Sequence, residues 1–190
     1  MSGPTATAAT LRVRPAVEGD ARRLCDFRRQ ALVETEFLLQ GPEDWIDHVD
    51  QERDLIARFA ADPASVLLIA ATGGAVVGMC SVVGGALERN RHVGQVGIGV
   101  LRCCWRQGVA RALMHRCLTW AEDEAHLHKL SLQVHSANDP ARRLYEDLGF
   151  QYEGVLRDEA RLAGRYVDLL AMGRLLGPLQ GQEELPSDDR

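Results

Sequence analysis

Several features that define other protein classes are missing from this 190-residue chain. No apolar run approaches the roughly 20 residues that a membrane-spanning helix needs. The G-x-x-x-x-G-K-[ST] loop of P-loop nucleotide-binding proteins is absent. The net charge of -5 gives no basic surplus of the kind that general nucleic-acid binding requires. These absences argue against a membrane protein, a P-loop enzyme and a nucleic-acid-binding protein.

Cysteine usage argues against disulfide and metal frameworks. The five cysteines have no regular spacing and include no C-x-x-C pair, which is typical of reduced thiols in a cytosolic protein. His126 and His128 form an H-x-H pair, but no cysteine or carboxylate stands beside them at ligand spacing. The opening MSGPTATAAT lacks the charged-then-apolar order of a signal peptide. We therefore expect a cytoplasmic protein without a metal.

The composition is that of a soluble globular domain, with 46% hydrophobic and 26% charged residues. The length allows one domain with a substantial core. We expect this domain to cover residues 11–176, between a small polar tail at 1–10 and an acidic tail at 177–190. Both tails have compositions typical of disorder. No internal repeat or linker divides the chain.

Apolar periodicity predicts a mixed α/β order. Alternating or continuous apolar runs predict strands over residues 11–17, 65–71, 75–87, 92–101, 129–136, 150–157 and 165–175. Helical spacing predicts helices that begin after Asp20, near Pro42, after Gly108 and at Asp139, with Asp139 as the N-cap of the last. This order predicts a mixed sheet with helices on both faces.

Residues 96–113, VGIGVLRCCWRQGVARAL, carry the first functional signal. An apolar strand leads through a polar segment and Gly108 into an amphipathic helix. Unpaired N–H groups and the positive end of the dipole at such a helix start suit a phosphate. Gly108 lets the backbone approach an anion closely, and Arg106 and Arg111 add positive charge. A glycine at a strand–helix junction is more often simple turn chemistry, so this stretch alone leaves anion binding open.

Together with two further motifs, this stretch resembles the GNAT superfamily of acyl-CoA-dependent N-acetyltransferases. It is similar to the Q/R-x-x-G-x-G/A pyrophosphate loop, with Gly108 and Ala110 at the last two fixed positions and Trp105 where Gln or Arg is usual. The ending GRYVDLLAMGRLL is similar to the last strand of small bacterial members. SANDPARRLYEDLGF matches the N-x-x-A-x-x-L-Y-x-x-x-G-F signature at Asn138, Ala141, Leu144, Tyr145, Gly149 and Phe150.

The resemblance implies a fold and a cofactor position. The fold is a central mixed sheet of six to seven strands, with about four helices on its two faces, in which strands four and five splay apart. Acetyl-CoA would lie in that gap as co-substrate and pair its pantetheine amides with the edge of strand four near Ile98 and Val100. Asn138, with Ala141 and Tyr145 nearby, would hold the pantetheine arm; the alternative for Asn138 is a turn residue ahead of the helix. The pyrophosphate would lie on Arg106, Gln107, Gly108, Val109, Ala110 and Arg111.

Direct transfer to an amine needs a base, an oxyanion donor and an acid for the leaving thiolate. The resemblance implies Tyr145 as the acid, whereas its spacing alone indicates a core aromatic, and a backbone N–H at residues 98–100 would hold the oxyanion. Gln95 and Gln133 occupy the strand positions where many relatives carry Glu, and neither can take a proton.

The general base is therefore left open by the sequence. The candidates are Glu34, His135 and His92. Glu34 also reads as a charge at a helix end, and both histidines as surface residues of alternating strands. A water chain without a dedicated base is an equal alternative, because an α-amine with a pKa of about 7.7–8.0 is partly neutral already.

The expected function is acetyl-CoA-dependent N-acetylation of a primary amine, either of a small molecule or of a protein N-terminus, by a monomer or homodimer. The alternative is a GNAT-fold sensor that binds acyl-CoA without catalysis. Loss of Tyr145 or Asn138 would have favoured the sensor, and both residues are present. The residues do not specify which amine is acetylated.

Overall fold

The computed structural model describes residues 10–45, 48–162 and 164–177, so most of both predicted disordered tails lies outside the described residues. None of the described helices combines the length and apolar character that a membrane crossing demands. The strands are β1 (Arg12–Pro15), β2 (Val66–Thr72), β3 (Ala75–Gly84), β4 (Val93–Val100), β5 (Lys129–His135), β6 (Gln151–Leu162) and β7 (Arg165–Leu175). The α-helices are α1 (Ala21–Glu34), α2 (Val49–Ala61), α3 (Val109–Asp123) and α4 (Asp139–Asp147).

The strands form one sheet in the order β1-β2-β3-β4-β5-β7-β6, and its two faces carry different helices. Because side chains alternate along a strand, β2 sends Leu68 to one core and Leu67 to the other. The first core includes residues of α3 and α4, and the second includes residues of α1 and α2. The predicted mixed sheet with helices on both faces is confirmed.

The second helix begins later than the sequence predicts. Pro42–Asp44 forms only a short 3-10 turn, and α2 starts at Val49. The Gly41 N–H donates to the Asp44 carboxylate at 2.9 Å, and the extended backbone of Trp45 (ψ 124) ends the turn. A side chain that bonds to its own local backbone in this way competes with helix propagation.

The N-cap of α4 is Asn138 rather than Asp139. The Asn138 Oδ1 accepts a hydrogen bond from the Ala141 N–H at 3.3 Å. Asp139 is the first helical residue, and its carboxylate pairs with Arg142 at 2.8 Å. Asn and Asp both favour the start of a helix, so the sequence alone did not show which of the two is the N-cap.

The ends of two strands also differ from expectation. β3 stops at Gly84 instead of residue 87, because the Leu87 N–H donates to the Asn90 Oδ1 at 2.9 Å and closes a turn. β6 continues to Leu162 instead of residue 157. Two register shifts in its pairing with β7 accommodate the extra residues as bulges, the second of which includes Asp158 at a positive φ of 53°.

The parallel β4–β5 pair is short, and this creates the predicted splay. Only Val93↔Lys129, Gly94↔Leu130 and Gln95↔Ser131 are paired, and the strands part after Gln95. Gly94 lets the paired ends approach closely. A Cβ there would lie 2.6 Å from a methyl carbon of Val82 and 2.9 Å from one of Leu130.

We predict that Gly94→Ala destabilises the fold by about 1–3 kcal/mol, because the added methyl group overpacks the junction where β4 and β5 meet. Urea unfolding measures the loss of unfolding free energy. Gly154→Ala in β6 is the matched control, since a Cβ there meets no atom within 4 Å. Equal stabilities of the two variants would contradict close packing at Gly94.

Candidate active site

A cleft of about 1030 Å³ opens where β4 and β5 part. It is large enough for a cofactor-sized ligand. Five parts of the chain line it: β4 from Gln95 to Val100, the end of β5, the first turns of α3 and α4 with the loop before α3, residues 35–39 after α1, and the β6–β7 hairpin at Ala160, Leu162 and Leu169.

The polar backbone of β4 faces this cleft at Ile98 and Val100. The Leu101 N–H donates to β3 at 3.0 Å, and the Val93 carbonyl accepts from the residue after β3 at 3.0 Å. Backbone groups alternate between the two sides of an antiparallel strand, and the β3–β4 register has no shift. The N–H and C=O groups of Ile98 and Val100 therefore point away from β3, where no strand pairs with them.

Trp105, the residue that departs from the family pattern, closes part of this edge. Its indole Nε1–H donates to the Val100 carbonyl at 2.7 Å. The guanidinium of Arg102 lies over the ring, 5.4 Å from its centroid. The Val100 carbonyl thus already has a donor, and the N–H of Val100 and both groups of Ile98 remain for a ligand.

The N-terminus of α3 lies at the cleft without a side-chain cap. Gly108 is the N-cap in the left-handed conformation, with φ 80, which glycine adopts without a steric penalty. The Ala112 N–H makes the first bond of the helix, to the Gly108 carbonyl at 2.9 Å. The preceding N–H groups, at Val109, Ala110 and Arg111, have no partner within the helix. With the helix dipole they make a local site for an anion.

Arginines around this helix start differ in their availability. Arg106 and Arg143 line the cleft and form no ion pair with any described residue, whereas Arg111 pairs with Asp147 at 2.6 Å. Arg106 holds a left-handed φ of 59, a conformation that costs a non-glycine residue about 1–3 kcal/mol. Sequence reasoning missed Arg143. Its spacing, one helical turn after Asp139, was the available signal.

Tyr145 is both a core residue and a cleft residue. It is only 6% exposed and packs against Phe150 with ring centroids 5.9 Å apart, yet it lines the cleft. Burial, and secondarily the nearby Cys80, raises the pKa of the Tyr145 phenol well above its ordinary value. The hydroxyl is protonated at neutral pH and can donate a hydrogen bond. Asn138 also lines the cleft, and the cap leaves its amide NH₂ to donate.

Glu34 and Gln107, both predicted as site residues, do not line the cleft. The Glu34 carboxylate accepts hydrogen bonds from the Arg102 N–H at 2.6 Å and from Gln30 Nε2 at 2.7 Å, and so ties α1 to the loop before α3. Gln107 donates its side-chain amide to the Cys103 carbonyl at 2.7 Å. The structure therefore does not bring the Glu34 carboxylate or the Gln107 side chain to the site.

His135 lines the cleft, but its geometry suits a donor rather than a base. The Ala137 N–H donates to His135 Nδ1 at 3.0 Å. A backbone N–H can only donate, so the neutral ring must carry its proton on Nε2. The Nε2–H is then available as a hydrogen-bond donor. His92, the remaining histidine candidate, is exposed and does not line the cleft.

Glu36 is a cleft residue that the sequence reasoning missed. Among the described residues, the carboxylates that line the cleft are Glu36 and Asp139, and Asp139 pairs with Arg142. Glu36 forms no ion pair with a described residue. The sequence offers no means of preferring it over Glu34, because both lie in the stretch 34–41, which shows neither a helical nor a strand pattern.

The comparisons with known proteins agree with this architecture. The model of the acetyltransferase (GNAT) family matches residues 30–150. The chain belongs to the GNAT family. The predicted enzyme class, an acyltransferase, is confirmed at the level of this family.

Individual GNAT proteins resemble the chain over most of its length. The L-amino acid N-acetyltransferase AaaT of Escherichia coli is 33% identical over 129 residues, which are 68% of this chain and 76% of that protein. A GNAT acetyltransferase from Streptococcus pneumoniae has a TM-score of 0.85 at 26% identity, covering 88% of this chain and 100% of the other. A Salmonella typhimurium acetyltransferase solved with acetyl-CoA has a TM-score of 0.80 at 19% identity, covering 93% and 99%.

For this GNAT protein we predict that Glu34→Gln keeps the kcat and its pH profile, because the carboxylate makes structural hydrogen bonds outside the cleft. The glutamine amide oxygen can still accept from the Arg102 N–H, so we expect the free energy of unfolding to fall by only about 1 kcal/mol. Steady-state kinetics across pH and urea unfolding test both statements. A loss of about 10²-fold in kcat would instead assign Glu34 to proton transfer.

Proposed function

We propose that the enzyme transfers the acetyl group of acetyl-CoA directly to a primary amine, of a small molecule or of a protein N-terminus. The observation that carries this proposal is the cleft between β4 and β5. It joins the uncapped start of α3, the open edge at Ile98 and the protonated Tyr145 hydroxyl in one continuous space. The activity of AaaT towards L-amino acids and the acetyl-CoA in the Salmonella structure support it.

The donors along the cleft match the parts of acetyl-CoA in order. The N–H groups of Val109, Ala110 and Arg111, with the unpaired Arg106, would hold the pyrophosphate. The pantetheine arm would take the place that β5 leaves after Gln95, and its amides would pair with the β4 edge as an added strand does. At the start of α4, the Asn138 amide NH₂ would contact the same arm, and the side chain of Ala141 would face it.

In this reaction the chain has two tasks, which are to transfer protons and to stabilise the oxyanion. Acetyl-CoA supplies a thioester, and the amine nitrogen forms a bond to its carbonyl carbon as the carbon–sulfur bond breaks. The ammonium group loses two protons; one is released, and the other is balanced by the proton that the sulfur gains. An N–H at Ile98 or Val100 would stabilise the oxyanion, and Tyr145 would protonate the sulfur and then recover its proton from water.

A thiol-release screen tests the proposed function. Acetyl-CoA is offered with amines, aminoglycosides, polyamines, amino-acid analogues and peptides, and each thiol released must be matched by one amide in the mass spectrum. Acetyl-CoA binding without an amide product from any class would contradict transfer to an amine.

We predict that Gly108→Glu abolishes CoA binding in calorimetry, because it places a side chain and a negative charge where the pyrophosphate would lie. The matched control is Gly74→Glu in the β2–β3 turn. Gly74 has nearly the same backbone conformation, φ 83 against φ 80, equal free space for a Cβ, and no part in the cleft. The control suffers the same strain and should bind CoA normally. Equal CoA affinity in both variants would place the phosphate site elsewhere.

We predict that Tyr145→Phe lowers kcat by about 10²-fold, at the lower end for general acid–base catalysis, while the KM for acetyl-CoA stays nearly constant. The ring and its packing are kept, so only the hydroxyl is lost. Tyr152→Phe is the control, since that exposed hydroxyl bonds to Arg142 and Glu146 away from the cleft. Unchanged turnover in Tyr145→Phe, with chemistry rate-limiting, would leave Tyr145 as a packing residue.

A further inference from the structure

The cleft passes through the sheet, so its two ends lie on different faces. In β5, Leu132 and Val134 belong to the core that includes α3 and α4. By alternation, His135 points to the opposite face, where α1 and α2 pack. The phosphate-binding end and the second end are therefore separated by the thickness of the sheet.

Residues 35–39, which follow α1, cover this second end. The Phe37 ring meets the His135 ring edge-to-face, with centroids 5.3 Å apart. Leu38 packs on β4, and its Cδ2 lies 3.8 Å from the position that a Cβ of Gly99 would occupy. This segment and the β6–β7 hairpin enclose the place from which an amine can reach a thioester held between the strands.

The lining of the second end is apolar and carries one charge. Its apolar side chains come from the segment after α1 and from β6 and β7: Phe37, Leu38, Leu39, Ala160, Leu162 and Leu169. The other charged residues that line the cleft, all from α3, α4 and the loop before α3, are Arg106, Arg111, Asp139 and Arg143. Among the described residues, Glu36 is thus the one acidic or basic residue that lines the second end, and the His135 ring adds an Nε2–H donor.

We propose that this end is an acceptor subsite for a primary amine that carries one positive charge on an apolar or aromatic body, with Glu36 as the carboxylate that binds the ammonium group. The inference rests on the proposed function for the chemistry that follows binding. It goes further in naming the class of amine and the residue that selects it.

The charge of Glu36, which is itself exposed, and the apolar side chains around it set the selectivity. A second ammonium group, as in a polyamine, would be desolvated against leucine and phenylalanine side chains without a carboxylate partner. A free carboxylate on the amine would lie near Glu36, with no arginine or lysine at that end among the lining residues to offset the repulsion. A neutral carbonyl can instead accept the Nε2–H of His135. An amino-acid amide therefore fits the subsite better than the amino acid or a polyamine does.

The test compares L-phenylalanine amide, L-phenylalanine and spermidine as ligands of the CoA-loaded protein in calorimetry. We expect the amide to bind about tenfold or more tightly than either competitor. Glu36→Gln should weaken the amide by about tenfold and leave L-phenylalanine unchanged or tighter. Glu36→Lys should reverse the preference. Glu43→Gln, an exposed carboxylate on the same connection and outside the cleft, is the matched control and should keep the wild-type order.

Equal or tighter binding of L-phenylalanine or spermidine, no binding of any probe, or an unchanged preference in Glu36→Gln would overturn the subsite. The kcat/KM for the same three amines separates this proposal from the proposed function. Selective amide binding without acetylation would refute acetyl transfer and keep the subsite, whereas efficient acetylation of spermidine would keep acetyl transfer and refute the subsite.

Discussion

The structure depends on the interruption of one hydrogen-bond ladder. β4 and β5 pair over three residues and then part, which leaves the N–H and C=O groups of Ile98 without a strand partner inside a half-enclosed cleft. Polar backbone groups removed from water need partners. An extended ligand with its own amides would supply them, and this is where we propose that the pantetheine arm binds.

Both ends of this interruption are held by specific contacts. Gly94 allows close approach where the strands still pair, because any Cβ would meet Val82 and Leu130. Beyond the splay, the indole N–H of Trp105 donates to the Val100 carbonyl, and the Arg102 guanidinium lies over the Trp105 ring. The Arg102 side chain also donates to the Glu34 carbonyl at 2.8 Å. This hydrogen bond ties the loop before α3 to the end of α1, where residues 35–39 begin.

The two ends of the cleft differ in charge, so each end suits a different kind of ligand group. Helix N–H groups and unpaired arginines at α3 and α4 attract anions, while the opposite end presents leucine and phenylalanine side chains with the Glu36 carboxylate. The buried Tyr145 lies on the α3–α4 side, and burial raises the pKa of its phenol above the ordinary value. In the reaction that we propose, a thioester held between these ends would meet the Tyr145 hydroxyl on one side and an amine on the other.

The strand positions, the mixed sheet and the residues that we propose for the cofactor end of the cleft could be predicted from the sequence by itself. These features reside in local patterns: apolar period, the Gly108 turn, and the signature around Asn138 and Tyr145. Residue type alone did not identify the cap of α4, because Asn138 and Asp139 both favour a helix start. The sequence predicts Asp139 as the cap, and the structure has Asn138 there.

Only the tertiary structure decided which carboxylate lines the end of the cleft that we propose for the acceptor. Glu34 and Glu36 are two residues apart in an irregular segment, and no local rule separates them. A hydrogen bond to Arg102, 68 residues away along the chain, holds the Glu34 carboxylate outside the cleft, while Glu36 lines it. The His135 tautomer likewise follows from the turn that brings the Ala137 N–H onto Nδ1. Side-chain direction at a helix end and proton position on a ring are set by neighbours that periodicity does not specify.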